Sequence, residues 1–502
     1  MITRDKIIAH YNLAKTIAQN HLTNQNHSKS IKYLGLASYL AYTYKFRYTD
    51  DDLEVSILKI SSQIIKEKPA FKPIKNRIVF YDSFAEDNRA LTQQYIRTIF
   101  SWNYELLYIT PIQVIDNDIL KELKSYTKAR IAVIPTSKTS FESQVQQAVK
   151  EITDFKPQVA FLHFKPWDIL GICTFSIFGN IERYFINLTD DAFWLGKCCS
   201  DYFLEFRRFG ASLSANSRNI PIEKLLFQPY YPIQANTDFE GFPISNDLKT
   251  FIFAGANFYK IYGNNGIFLE LINDILKRHK DVVLLYAGDG NKKPFERFIK
   301  ENNLDHQVYL LGARKDINQV IKNIDIFINT FPVSGGLMLQ LAALNKKPII
   351  SYSNPELYAY NDVEDILQIE ITGLLIKNKK DEFLSYFDLI KKDSSARKKN
   401  IEATSKCVVS PEDFNKTLLR NITSKRHVDI DFIKNTDIDE EAICDLFIEM
   451  ENKFLKNHNN ILWFAGPELI FDSFFLGSKV IFLKMIDIAS NMYNSFTDRM
   501  LK

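Results

Sequence analysis

Apolar positions follow different rhythms in different parts of the chain. Up to about residue 70 they recur at helical spacing, in "KYLGLASYLAYTYKFRY" and again in "LEVSILKISSQIIKE". "KPAFKPIKN" is a Pro-containing linker. From Arg77 the rhythm changes to short, solid apolar runs of the buried-strand kind, "RIVFYDSF", "YELLYITP", "ARIAVIPT", "QVAFLHF", "RYFINLT" and "DYFLEF". Helical segments lie between them, near Asp118–Lys128 and Phe141–Asp154 among others. "LLFQPYYPI" then leads into a polar, irregular stretch ending near Leu248.

There a second alternation begins. "TFIFAGAN", "DVVLLYAGDG", "VYLLGA", "DIFINTF" and "PIISYS" read as strands, with helices predicted at Gly266–His279, Lys293–Asn302, Asp316–Asn323 and Gly336–Leu344. Strands alternating with helices imply β-α-β units and parallel sheets covered on both faces. The fold class is therefore α/β, with two Rossmann-like domains over residues 77–235 and 248–394 facing a cleft. Helical regions are expected at 1–70 and 395–502. Ligands of such sheets bind beyond the carboxyl ends of the strands, so the loops after strands carry the interest.

A chain of 502 residues is too long for one ordinary core, which agrees with two large domains. Its net charge of +3 gives no broad basic face, so nucleic acid is not an expected partner. The five cysteines (Cys173, Cys198, Cys199, Cys407, Cys444) are odd in number and form no C-x-x-C pair, which points to a reducing cytosol. The charged start "MITRDKIIAHYNLAK" is not a signal peptide, and no apolar run reaches membrane-spanning length. A cytoplasmic protein is expected, with peripheral contact at the inner face of a membrane left open. The Lys-, Asn- and Ile-rich composition fits an AT-rich bacterial genome.

Four loops of the second alternation hold candidate chemistry. "AGANFYKIYGN" places Asn257 and Lys260 beyond its first strand, and a lysine there can neutralise a diphosphate as a point charge. "AGDGNKKP" makes a tight turn at Gly288. "LGARKDINQV" places Arg314 and Lys315 at a strand end, with Asp316 able to cap the next helix. "NTFPVSGGLMLQLAALNKKPII" sets Ser334, Gly335 and Gly336 at a helix entrance. Two glycines there allow close approach and leave the first amides open, a setting that attracts phosphate. Neither a P-loop nor a G-x-G-x-x-G follows the first strand.

The order "GANFYKI", "LLYAGDGN", "VYLLGARKD", "DIFINTFPVSGGLMLQLAALNKKPII" resembles the C-terminal half of GT-B glycosyltransferases, in the branch of O-linked N-acetylglucosamine transferase and the bacterial adhesin N-glucosyltransferases. The resemblance covers residues 250 to 350 well and the first sheet only loosely. It implies a UDP-sugar donor whose diphosphate is held by Lys260 and by the amides at Ser334, Gly335 and Gly336. The chain departs from the family at Leu337 and Met338, where Thr-Thr is usual, and at Leu341, where many members carry an acid for the ribose. Glu356 in "SNPEL" is the candidate to replace that acid.

On the acceptor side the resemblance asks for a base. "VFYDSFAEDNRAL" offers Asp82, Glu86 and Asp87, with helix capping as the competing reading of Asp87 or Glu86. "LHFKPWD" offers His163, with Asp168 nearby, against a structural histidine. "NLTDDAFWLG" offers Asp191, in a segment that is histidine-rich in similar bacterial enzymes. Phe193, Trp194 and Cys198–Cys199 read as packing, and the aromatic, basic "YLAYTYKFRYTDDD" as a bundle core or a surface for lipid headgroups or glycan. The expected function is a metal-independent hexosyl- or N-acetylhexosaminyltransferase without a cofactor. Its partners would be a nucleotide-sugar donor, a surface-glycan or protein acceptor, and an oligomer or partner glycosyltransferase. A UDP-N-acetylglucosamine epimerase and a non-catalytic partner subunit remain as alternatives.

Overall fold

In the computed structural model the chain is described over residues 1–463, apart from 88–90, 114–116, 138, 235–236, 246–248, 370–372, 430–431 and 433–437. The first sheet has seven strands: β1 (Arg77–Asp82), β2 (Glu105–Thr110), β3 (Ala129–Val133), β4 (Val159–His163), β5 (Glu182–Ile186), β6 (Tyr202–Glu205) and β7 (Leu225–Phe227). Their order is β3-β2-β1-β4-β5-β6-β7, and every pair is parallel. The central strands are solid apolar runs because both of their faces are covered, as in "IVFY" of β1, buried throughout.

The second sheet has six strands: β8 (Thr250–Gly255), β9 (Val282–Ala287), β10 (Val308–Gly312), β11 (Ile326–Ile328), β12 (Ile349–Tyr352) and β13 (Ile376–Lys377). Its order is β10-β9-β8-β11-β12-β13, again all parallel. Each sheet thus reverses direction beside its first strand, at β1/β4 and at β8/β11. Those crevices are where a doubly wound sheet accepts ligands.

The sequence beyond the two sheets does not stand apart from them. Helices Arg4–Thr23, His27–Tyr44 and Asp51–Ile64 begin at side-chain caps from Thr3, Asn26 and Asp50. They share one apolar core with the first sheet, where Ile57 and Ile60 lie with Cys173 and Phe175. The Glu54 carboxylate accepts the amides of Gly196, Lys197 and Cys198 at 2.8, 3.0 and 2.6 Å. Helices Lys380–Lys392 and Ser394–Ser405 flank the second sheet, Phe387 and Ile390 entering its core. Helix Pro411–Ser424 crosses back to the first, where the Phe414 ring meets Tyr95 and Tyr231 edge-on at 5.1 and 5.4 Å. Helix Glu440–Met450 buries Phe447 and Met450 with the second domain. Residues 464–502, part of the expected helical end, lie outside the described residues. No helix among the described residues is long and apolar enough to cross a membrane.

Candidate active site

The loops after β8 and β11 interlock at the second switch point. Asn257 caps the short helix Phe258–Ile261, and its amide donates to Asp289 at 3.0 Å. With Phe258 and Ile261 buried, Lys260 is aimed across the crevice. Its Nζ donates to the Ser334 carbonyl at 2.8 Å, and Val333 N donates back to the Lys260 carbonyl at 3.2 Å. Burial pushes the Lys260 amine down to about 8; Asp191 opposes the shift, and the Lys45 and Arg207 charges reinforce it.

Helix Gly336–Leu344 starts in this loop without a side-chain cap, so Ser334 does not play that part. Ser334 Oγ donates instead to Asn361 Oδ1, while Asn329 holds the loop through Ser334 Oγ at 3.1 Å and Gly335 N at 3.4 Å. The first intrahelical bond runs from Leu339 N to Gly335 O at 2.9 Å. The amides of Gly336, Leu337 and Met338 therefore point out of the helix end with no partner among the described residues. Gly336 is needed for space: a Cβ there would stand 2.8 Å from the Tyr230 hydroxyl of the first domain.

The other expected donor-side residues divide. Gly288 is a packing glycine, since its Cβ would fall 1.9 Å from the Ala256 carbonyl in the Lys260 loop. Arg314 does not join Lys260. It forms two bonds of 2.6 Å to Asp316 and one of 3.1 Å to the Gly241 carbonyl, pinning the segment between the domains. Asp316, spent on that pair, makes no side-chain bond to the helix it precedes. Glu356 is exposed on a polar cavity of about 630 Å³, together with Asn264, Asn265 and the carboxylates of Glu441 and Asp445. That lining suits hydroxyl groups and repels phosphate. Leu341 is buried in the core beside β8 and β11.

At the first switch point β1 and β4 pair Asp82 with His163 in register. His163 Nδ1 lies 3.0 Å from Asp82 Oδ1, both side chains are 0% exposed, and His163 Nε2 is buried with no partner among the described residues. Asp82 also accepts from Thr92 at 2.7 Å, Tyr108 at 2.8 Å and the amides of Phe84 and Ala85. Burial alone would raise the Asp82 carboxyl, but the His163 charge and these donors outweigh it and hold the group below its usual range. Asp87 is engaged in capping. Its two oxygens accept from Asp118 N at 2.8 Å and Ile119 N at 3.0 Å, at the start of helix Asp118–Ser125.

Asp191 stands at a junction of four parts of the chain. Its Oδ2 accepts from Lys45 Nζ at 2.9 Å and from the Tyr360 hydroxyl at 2.9 Å, and Lys45 lies 4.7 Å over the Phe447 ring. Burial would raise this carboxyl, yet Lys45 and Arg207 hold it well below the carboxylate range. A base so firmly ionised takes up a proton poorly near neutrality. Beside it Asp190 binds Arg207 at 2.6 and 3.0 Å, and Arg207 reaches the Tyr360 carbonyl at 3.3 Å. The sequence gives no reason to single out Lys45, Arg207 or Tyr360; only the aromatic, basic stretch around Lys45 carries a signal. Trp194 is core, stacked on Phe185 at 4.3 Å with Arg218 over its ring at 4.8 Å. All five cysteines are free. Among the described residues no group of three His, Cys, Asp or Glu side chains is placed to hold a metal ion.

Residues 249–386 match the family model described as "Glycosyl transferases group 1". No curated protein matches the chain by sequence. Among solved structures the chain is similar to the O-GlcNAc transferase of Thermobaculum terrenum, at 12% identity and TM-score 0.51, over 88% of this chain and 85% of that one. It is similar to a glycosyltransferase from Rickettsia africae, at 13% and 0.51, over 73% and 100%. It is also similar to Anabaena HepE, solved with UDP and glucose, at 12% and 0.51, over 69% and 99%. The architecture of two facing parallel sheets is the GT-B fold. Together these similarities support a nucleotide-sugar glycosyltransferase.

Proposed function

We propose that this protein transfers a hexose or N-acetylhexosamine from a UDP-sugar to a glycan or protein acceptor. The observation that carries the reading is Lys260 poised against the loop that ends in the open Gly336 helix N-terminus. In the reaction the bond between the sugar anomeric carbon and the diphosphate oxygen breaks, and a bond to the acceptor oxygen or nitrogen forms. The leaving diphosphate gathers negative charge. Lys260 and the amides of Gly336, Leu337 and Met338 are placed to stabilise that charge, and no metal ion is required for it. On binding, the anion replaces the Ser334 carbonyl as the partner of Lys260 and keeps its amine protonated.

Among the three carboxylate and imidazole candidates for the acceptor proton, His163 fits best. Asp82 holds its Nδ1, so the Nε2 atom is the one left to accept a proton. It must first gain access to the cleft, because Phe84 covers the ring at 4.7 Å between centroids.

A second reading, a non-catalytic glycosyltransferase-like partner subunit, is favoured by the sealed His163 and by Leu341 in the position of the ribose acid. Incubating the protein with UDP-glucose, UDP-galactose and UDP-N-acetylglucosamine and following UDP release separates the two. Release from one donor supports the transferase; binding without release from any supports the subunit.

A further inference from the structure

Helix His27–Tyr44 ends at the cleft, and its last turns contribute more than Lys45. Tyr39 and Tyr42 lie nearly parallel, with ring centroids 6.2 Å apart and 21° between planes. Both meet the Trp167 ring edge-on, at 4.6 Å and 85° and at 5.2 Å and 68°. Trp167 stands in the loop after β4, four residues beyond His163. The three rings make a corner between the N-terminal helices and the first domain.

This corner adjoins the junction at Asp191. Lys45 Nζ lies 5.8 Å from the Tyr42 ring and 2.9 Å from the Asp191 carboxylate. The charges of Asp191 and, more weakly, Glu86 bear on the Tyr42 hydroxyl. All three aromatic side chains are partly exposed. Neither the Tyr42 hydroxyl nor the Trp167 indole N–H has a hydrogen-bond partner among the described residues, although burial weighs on the Tyr42 hydroxyl. Aromatic side chains that pack only for stability commonly find partners for such groups.

We infer that Tyr39, Tyr42 and Trp167 form the acceptor subsite, and that the acceptor is a glycan whose terminal sugar ring lies in this corner. A pyranose presents an apolar C–H face to an aromatic plane and a rim of hydroxyl groups. Here the rim would meet the Tyr42 hydroxyl and the Trp167 N–H, with Glu86 as an acceptor at the edge. A lipid chain would leave those two groups unpaired, at a cost for each buried. A peptide offers no continuous face of hydroxyls. The inference rests on the transferase reading for the direction of the reaction, but the binding it predicts needs no donor.

Trp167 makes the test direct. Glucose, galactose, N-acetylglucosamine and their β-linked disaccharides are titrated into the full-length protein without nucleotide, and tryptophan emission is followed. UDP is titrated by calorimetry into the same preparations. A saturable change with at least one sugar is expected, absent in Trp167→Phe and weakened roughly five- to tenfold in Tyr42→Ala, the loss appropriate to one stacking partner. UDP affinity should be unchanged in both variants. The inference is overturned by a protein that binds UDP but responds to no sugar, by a response that survives Trp167→Phe, or by a response to an aromatic peptide in place of sugars. Loss of UDP binding with the sugar response intact would instead contradict the donor assignment.

Discussion

Lys45 and Asp191, 146 residues apart in sequence, are joined by a 2.9 Å ion pair that Tyr360 completes from the second domain. The N-terminal helices are thereby wired into the cleft between the two sheets. Removing one partner should cost more than removing both. Lys45→Met strands a largely enclosed carboxylate and should lower stability by about 2–3 kcal/mol. Lys45→Met with Asp191→Asn should recover most of that. Denaturant melts of the two single variants and the double variant measure the coupling, and simple additivity would refute it.

Lys260 gives a pH prediction with a definite sign. Its amine is pushed down to about 8, so an increasing fraction is neutral as pH rises through that value. An anion binds the charged form. UDP affinity should therefore be full below about 8 and weaken above it, by up to tenfold per pH unit, with proton uptake on binding at alkaline pH. An affinity flat from pH 7 to 9 would show that Lys260 does not face the ligand.

Gly336 and Tyr230 are a matched pair across the domains. Gly336→Ala places a methyl 2.8 Å from the Tyr230 hydroxyl, and overpacking of this kind costs about 1–3 kcal/mol. Tyr230→Phe removes the obstructing oxygen. The double variant should melt closer to wild type than Gly336→Ala alone; no rescue would mean that the helix end meets something else.

Glu205 lies fully buried at the end of β6, accepting from Ser214 at 2.6 Å and Asn187 at 2.8 Å. Burial pushes its carboxyl up to about 7. The folded state thus holds a proton that the unfolded chain releases near pH 4.5, so this group weakens the fold as pH rises from there to about 7 and adds nothing further above it. Glu205→Gln should be more stable than wild type at pH 8, by about 3 kcal/mol, and near parity at pH 4. Thermal melts at the two values decide it, and a pH-independent difference would contradict the shift.

What could be read from the sequence was what neighbours in sequence determine. Solid runs such as "IVFYD" and "VVLLYA" became β1 and β9, and helix Gly336–Leu344 begins and ends as its spacing indicates. The Lys260 and Gly335–Gly336 loops were legible because residue type and strand end coincide there. The first-sheet choices were harder, because partners far along the chain decide what a carboxylate does. Asp87 caps a helix that starts 31 residues later. Asp191 is claimed by Lys45, 146 residues earlier, and by Tyr360, 169 residues later. Arg314 is claimed by Asp316, two residues on, where capping and ion pairing competed for one carboxylate and the ion pair won. The aromatic, basic stretch marks the neighbourhood of Lys45 but not its role, since its amine reaches the cleft only because the preceding helix packs on the first sheet.

The most direct test of the central claim is calorimetric titration of UDP into wild type and Lys260→Ala at pH 7. The account predicts binding in the micromolar range, weakened about 10- to 100-fold in the variant, as for loss of a charged hydrogen bond. Binding that Lys260→Ala leaves unchanged, or no binding of UDP at all, would contradict it.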